Sequence, residues 1–130
     1  MVNILESDGS TICAMVNAIN LAMMDAGIAM SDMVVACSVG LIKQQLCQDC
    51  TQVEQSGGAY IPVAIKARSE DILLFSLDSR LPADSLEAAI ETALRGCGVM
   101  KEYCEGAIKA YMDETGYSQE AAAQTGVLLL

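Results

Sequence analysis

Apolar residues recur at steps of three and four from Ile12 through Met15, Val16, Ile19 and Met23 to Ala26. That spacing predicts an amphipathic helix whose buried face carries them. Upstream, Val2 to Leu5 is a short apolar run and reads as a strand, and Asp8-Gly9-Ser10-Thr11 reads as the turn between the two. Ser10 stands at the N-cap position, where a hydroxyl accepts an orphan N–H of the first turn. Gly27 stands where a left-handed residue ends a helix.

The pattern then changes period. Met33-Val34-Val35-Ala36-Cys37-Ser38-Val39 is a continuous apolar run rather than an alternation, which predicts a strand covered on both faces. Gly40-Leu41-Ile42 continues it, Lys43-Gln44-Gln45 reverses it, and Leu46-Cys47-Gln48 returns. Asp49 to Ala59 is polar, contains Gly57-Gly58, and reads as a loop. Tyr60 to Ala67 sets Ile61, Val63 and Ile65 against Pro62, Ala64 and Lys66, a half-buried strand, with Pro62 arguing for an edge or a strand start. Ser69-Glu70-Asp71 turns, and Ile72 to Leu77 returns as the partner strand.

Leu81-Pro82-Ala83-Asp84 opens a long helix, with proline in the tolerated first turn. Its apolar stripe is Leu86, Ile90, Ala93, Cys97, Met100, Cys104, Ala107 and Tyr111, at steps of four and three. The stripe reads first as core and second as a partner-binding face. Gly96, Gly98 and Gly106 each cost about 1 kcal/mol of helix propensity, and mark close packing or a bend. A further helix fits Ser118 to Gln124, before the apolar end Val127 to Leu130. Strand, helix, two hairpins and a long helix make an α+β chain, a mostly antiparallel sheet packed against helices.

Composition adds limits. Of 130 residues, 53% are hydrophobic, so a core can form, yet aromatics are only four Tyr and one Phe. The core is therefore aliphatic and methionine-rich; Met24, off the main stripe, is a candidate subunit contact, with core the better reading. The net charge is −10, and the seven bases are scattered. Alone, such a chain should repel nucleic acid, because nonspecific affinity rests on neutralising phosphates. No apolar stretch suits a bilayer, so no membrane partner is expected. Met1 leads into Val2-Asn3-Ile4 with no basic n-region, which reads as an intracellular chain with reduced thiols.

The chemistry available is narrow. Without histidine, Ser-His and Cys-His nucleophiles and His-ligated metals are excluded within the chain. Cys47-x-x-Cys50 has a metal or redox spacing, but no second pair completes four ligands. No metal and no cofactor is expected.

Four separated motifs carry a family resemblance. Leu5-Glu6-Ser7-Asp8-Gly9-Ser10-Thr11, then Ala14 and a helix ending Asp25-Ala26-Gly27-Ile28-Ala29-Met30, resembles the ribonuclease PH family. That family has an Asp-Gly-Gly-Thr turn and a helix ending Asp-Ala-Gly-Ile-Pro-Met; Ala29 replaces the proline. Val35-Ala36-Cys37-Ser38-Val39-Gly40 resembles a strand of the exosome branch. Asp49, Val53-Glu54 and Gly57-Gly58 before Ile61-Pro62-Val63-Ala64-Ile65 resemble the active-site loop and its strand, and Ile72 to Leu81 resembles the closing strand. The likeness runs from about Val2 to about Met112 and is closest to the eukaryotic counterpart of the archaeal catalytic subunit.

The resemblance implies a ribonuclease PH-like (ribosomal protein S5 domain 2-like) fold, as an incomplete domain. Residues 1–115 would be its C-terminal half and residues 116–130 a C-terminal tail. It also implies a ring of ribonuclease PH-like exosome subunits with RNA-binding cap subunits. RNA would pass through the assembled channel in 3′→5′ processing and decay, in the nucleus, nucleolus and cytoplasm.

Three departures count against catalysis. Active members place an arginine after the turn's threonine to hold the attacking phosphate; here Ile12 follows Thr11. Active members carry two loop aspartates; these positions fall at Gln55 (or Glu54, a residual acid under another placement of the gap) and at Tyr60. Metal binding and general acid work need hard oxygen ligands or a titratable acid. Ser10 and Thr11 are then a phosphate-binding remnant or a plain helix cap. The resemblance therefore implies a non-catalytic ring subunit, the alternative being a phosphorolytic 3′→5′ exoribonuclease active only with partner chains.

Overall fold

The computed structural model describes residues 1–115. The expected tail helix over Ser118 to Gln124 and the apolar end lie outside the described residues. In chain order the elements are α1 (Thr11–Asp25), β1 (Val34–Ile42), β2 (Gln45–Gln48), α2 (Gln52–Ser56), β3 (Ala59–Lys66), β4 (Ile72–Phe75) and α3 (Ala83–Thr115). The strands form one antiparallel sheet in the order β2-β1-β3-β4.

Strand pleating assigns the two faces. Val35 and Val39 of β1 join Ile61, Val63 and Ile65 of β3 in the main core, against Ala89, Ala93, Cys97 and Cys104 of α3. Ala36 and Ala64, on the opposite pleat, meet Cys13 of α1. β1 is thus covered on both faces, as its unbroken apolar run predicted. The hairpin at Lys43-Gln44 also forms as expected, with φ of 48° and 67°, the left-handed pair that suits the twist of a two-residue turn.

β3 departs from expectation. It is buried on both faces rather than one, because α1 covers the Ala64 side. Pro62 sits in an interior strand, opposite Ser38. Ala36 turns both its N–H and its C=O away from β3, toward Asn17. Two residues on, Ser38 is oriented alike and its carbonyl accepts from Asp49 N at 3.0 Å. The Ser38–Pro62 pair is therefore a non-hydrogen-bonded one. Pro62 points its donorless nitrogen toward the β4 side, just past the last paired residue, Phe75.

Val2 to Leu5 is not a strand. No strand of the described sheet lies beside it, and Leu5 is 98% exposed. Without a ladder partner its backbone groups stay in solvent. The stretch from Asp49 to Ala59 is not all loop, since it contains α2. Thr51 Oγ1 accepts from Glu54 N at 3.4 Å while Glu54 Oε2 accepts from Thr51 N at 2.8 Å, a reciprocal capping box. β4 is shorter than expected and ends at Phe75.

The largest correction concerns α1. Its buried residues are Cys13, Asn17 and Asn20, whereas Ile12 and Ile19 of the predicted stripe are 44% and 42% exposed. Asn17 explains the reversal. Its Nδ2 donates to Ala36 O at 3.0 Å and its Oδ1 accepts from Ala36 N at 2.8 Å. Asn20 Oδ1 accepts from Val34 N at 3.1 Å. The edge of β1 that β2 leaves open is thus closed by two carboxamides acting as a surrogate strand.

Of the α3 stripe, Ala93, Cys97 and Cys104 are buried as core, Leu86, Ile90 and Met100 are half-buried, and Ala107 and Tyr111 are exposed. Gly96 marks close packing: a Cβ there would lie 2.5 Å from Cys37 Sγ. No helix among the described residues is long and apolar enough to cross a membrane.

Candidate functional site

The turn before α1 and the segment before α2 are joined at backbone level. Gln52 N donates to Asp8 O at 3.0 Å. Gly9, at φ 98°, lies so close that a Cβ would stand 2.3 Å from Cys50 O. Ser10 also adopts a left-handed conformation, φ 51°, and delivers the chain into α1. Its hydroxyl does not cap the helix as the sequence suggested. It donates to Cys50 O at 3.1 Å and lies 2.6 Å from the Ser38 hydroxyl, which is left to donate in return. The local reason is geometric: a left-handed Ser10 turns its side chain under the loop instead of along the helix axis.

The other remnant position, Thr11, points elsewhere and pairs its hydroxyl with that of Ser7. Ile12 follows it on the surface with no charge to offer an anion. Glu54 turns back onto Thr51, accepting from both its N–H and its hydroxyl. Those bonds hold its carboxyl below the usual range. Because the folded group is the stronger acid, its contribution is present at neutral pH and is lost as pH falls through the depressed value. Acidification below the ordinary carboxylate range is therefore expected to open the α2 cap before the sheet unfolds. Amide exchange read residue by residue should show Thr51 and Glu54 losing protection first.

Gln55 and Tyr60, the two positions at which the resemblance led aspartates to be expected, do come together. They share a cleft of about 290 Å³ with Gln52, Ser56, Gly58, Asp78 and Ser79. Gln55 also steadies the loop, its Nε2 donating to Cys50 O at 3.2 Å. Tyr60 is pushed up to about 12, chiefly by burial and then by the neighbouring Cys13, so its phenol stays neutral. The lining holds one carboxylate, Asp78, and no cation. Carboxamides, hydroxyls and a neutral phenol can hydrogen-bond a ligand, but they supply neither a metal's oxygen cage nor a counter-charge for phosphate.

Ser38, Gln52, Asp78 and Ser79 were not singled out from the sequence as site residues. Ser38 lay within the Cys37-Ser38 motif and Asp78-Ser79 within the closing strand, so the family motifs were the available signal. In the Cys47-x-x-Cys50 pair the second thiol is engaged within the fold. Cys50 is buried against Gly40, donates to Cys47 O at 3.6 Å, and is pushed up to about 11, first by burial. A protonated, buried thiol is a poor nucleophile and a poor ligand. All six cysteines are free, and no metal-binding group of His, Cys, Asp and Glu occurs among the described residues.

With this geometry established, known proteins supply the context. The domain 2 profile of the 3′ exoribonuclease family matches residues 32–96, from the start of β1 into α3. The chain belongs to the 3′ exoribonuclease family. Within that family it is 36% identical over 118 residues to the exosome complex component RRP41 of Mus musculus, covering 90% of this chain and 48% of that one. It is 33% identical over 119 residues to the RRP41 homolog of Arabidopsis thaliana, covering 91% and 49%. It is 34% identical over 109 residues to the archaeal Rrp41 of Pyrococcus abyssi, covering 83% and 44%. The crystal structure of rice Rrp46 shares the fold, with a TM-score of 0.74 at 17% identity, over 81% of this chain and 51% of that one. The chain therefore spans about half the length of the relatives it matches, and its fold is a partial ribonuclease PH-like one.

Proposed function

We propose that this chain is a non-catalytic subunit of an RNA exosome ring, supporting 3′→5′ RNA processing and degradation. The observation that carries the proposal is the state of the family's reactive positions. Ile12 stands where a phosphate-binding arginine is expected. Gln55 and Tyr60 stand where aspartates are expected, in a cleft with no cation. The polar groups that remain are engaged internally, Ser10 with Ser38 and Cys50, Thr11 with Ser7, and Glu54 with Thr51. Phosphorolysis needs an anion held for attack and charge neutralised in the transition state, and these side chains provide neither.

The similarity to proteins called exosome complex components supports partnership with other ribonuclease PH-like ring subunits and with RNA-binding cap subunits. The net charge of −10 fits a subunit that meets RNA only through the assembled channel, with partners supplying positive charge. The proposed places of work are the nucleus, nucleolus and cytoplasm.

The purified chain is expected to release no nucleoside diphosphates from single-stranded RNA in phosphate buffer. Tagged in cells, it should bring down ring subunits; failure to do so sinks the proposal. The alternative, a phosphorolytic exoribonuclease active only with partner chains, draws on the retained Thr11. Gln55→Ala and Tyr60→Phe in the assembled ring separate the two. Unchanged RNA decay fits a structural subunit, and a tenfold fall in phosphate-dependent decay would favour the enzyme.

A further inference from the structure

Cys47 and Cys50 meet at a place where the sheet carries no side chain. Gly40 is the cross-strand partner of Cys47. Paired residues point their side chains to one face of a sheet, so Cys47 projects on the side where a Gly40 Cβ would stand. That point is 2.5 Å from Cys50 Sγ and 3.8 Å from Cys50 Cβ. Cross-strand Cβ atoms lie about 4.5–5.5 Å apart, which brings the Cys50 sulfur within a side chain's reach of Cys47. The space that glycine leaves at position 40 is therefore shared by the two thiols. Two further contacts agree. Cys50 Sγ lies 3.6 Å from the Cys47 carbonyl oxygen. After burial, Cys47 is the next cause of the upward push on the Cys50 thiol.

The pair is unequal. Cys50 is buried, whereas Cys47 is half-buried on β2, an edge strand. Reagents therefore reach Cys47 first. We propose that Cys47 and Cys50 are a reversible modification site, a dithiol that closes to an intramolecular disulfide by exchange with a small-molecule disulfide. The Cys47 thiol loses its proton and its sulfur attacks one sulfur of the reagent; that S–S bond breaks and one thiolate leaves. Cys50 then loses its proton and attacks Cys47 Sγ; the mixed S–S bond breaks and the second thiolate leaves. The two thiolates take up the two protons, so the protein is oxidised by two electrons and the reagent is reduced by two. A buried, protonated Cys50 attacks slowly; what the fold supplies is position, because the mixed disulfide forms beside it. The Cys50 carbonyl accepts from Ser10 Oγ at 3.1 Å and from Gln55 Nε2 at 3.2 Å. Closure thus acts on the segment that ties the turn before α1 to the cleft. The inference rests on the chain's own geometry and does not need the ring assignment, so either can fail alone.

The probe is glutathione, equilibrated with the full chain over a series of reduced-to-oxidised ratios. Remaining thiols are trapped with a maleimide under denaturing conditions, and the chain is cut with trypsin. Cleavage after Lys43 and Lys66 releases residues 44–66, which hold Cys47 and Cys50 and no other cysteine. That peptide should appear two hydrogens lighter and untrapped, while Cys13, Cys37, Cys97 and Cys104 are recovered with maleimide. The same titration in concentrated urea separates the fold's contribution from that of a short Cys-x-x-Cys loop. Closure should be favoured at least about tenfold more in the folded chain. Cys50→Ser should stop at a single glutathione adduct on Cys47, and Cys47→Ser should leave Cys50 reduced, with circular dichroism checking both folds. The wild-type titration decides the matter even where a variant does not fold. The proposal fails if residues 44–66 stay a dithiol, or stop at a mixed disulfide, at every ratio. It fails equally if closure is no more favourable than in urea, or if either sulfur bonds instead to another cysteine or another chain.

Discussion

Replacing Asn17 by leucine should destabilise the chain by about 2–4 kcal/mol, although the substitution adds apolar surface at a buried position. The side chain satisfies both backbone groups of Ala36, at 3.0 and 2.8 Å, on a stretch of β1 that β2 does not reach. A buried group left without its partner costs about 1–3 kcal/mol, and here two are orphaned together. A domain of this size holds only about 5–15 kcal/mol in total, so the midpoint of thermal unfolding should fall by about 10 °C or more. Asn20→Leu removes a single bond, to Val34 N, and should cost roughly half as much. Asn17→Asp tests the geometry rather than the volume. Its carboxylate can still accept from Ala36 N–H, but its second oxygen faces the Ala36 carbonyl. Burial and that repulsion raise the carboxyl's folded pKa above its unfolded value, so the penalty is full at neutral pH. It shrinks as pH falls and protonation restores a donor. Urea unfolding at pH 7 and at about pH 5 should show the gap between Asn17→Asp and wild type closing as the solution is acidified. A gap that does not change with pH would mean Asn17 matters only as a space-filler.

The same residue shows why the sequence was legible in some places and misleading in others. The period of an apolar stripe locates a helix, and it located α1 to within a residue. Which face is buried depends on what lies beneath, and beneath α1 lies an open strand edge that needs hydrogen bonds. Asn17 and Asn20 therefore point inward, and Ile12 and Ile19 point out. β1 and the Lys43-Gln44 turn were readable because their signals are local. Pro62 misled because the rule about edges holds for the N–H direction, and here that direction passes the end of β4. The α2 turn could have been seen: Thr51-x-x-Glu54 is a capping box in plain text. In the site, family positions identified Gln55 and Tyr60, which the fold brings to one cleft. Asp78 and Ser79 reach that cleft only through the β4–α3 connection, and Ser38 lies beside Ser10, opposite Pro62 in the sheet register.

Glycine-to-alanine changes at three kinds of position should sort into gain, small loss and large loss, and the last bears on the site itself. At Gly98 a Cβ meets nothing within 4 Å, and the residue lies inside α3 with an ordinary backbone. Alanine there should stabilise by about 0.5–1 kcal/mol through helix propensity and reduced freedom of the unfolded chain. At Gly27 space is also open but φ is 69°. The chain turns there with Gly27 N donating to Met24 O and Ile28 N donating to Met23 O, both at 3.1 Å. Alanine should cost about 1 kcal/mol, the strain of a left-handed L-residue. At Gly9 both penalties combine. φ is 98°, and the new Cβ would lie 2.3 Å from Cys50 O, 2.6 Å from Gln52 N and 2.6 Å from the Thr51 carbonyl carbon. All three are backbone atoms, so no side chain can swing aside, and the turn must separate from the α2 segment. That separation breaks the Gln52 N to Asp8 O bond and pulls Ser10 from Cys50 O and Ser38. The expected loss is about 3 kcal/mol or more, the sum of left-handed strain and several buried hydrogen bonds. Thermal unfolding of the three variants should place them in that order, and amide exchange at Cys50 to Gln52 should rise for Gly9→Ala alone. If Gly9→Ala behaves like Gly27→Ala, only its backbone angle matters, and the turn and the α2 segment are not locked together as described.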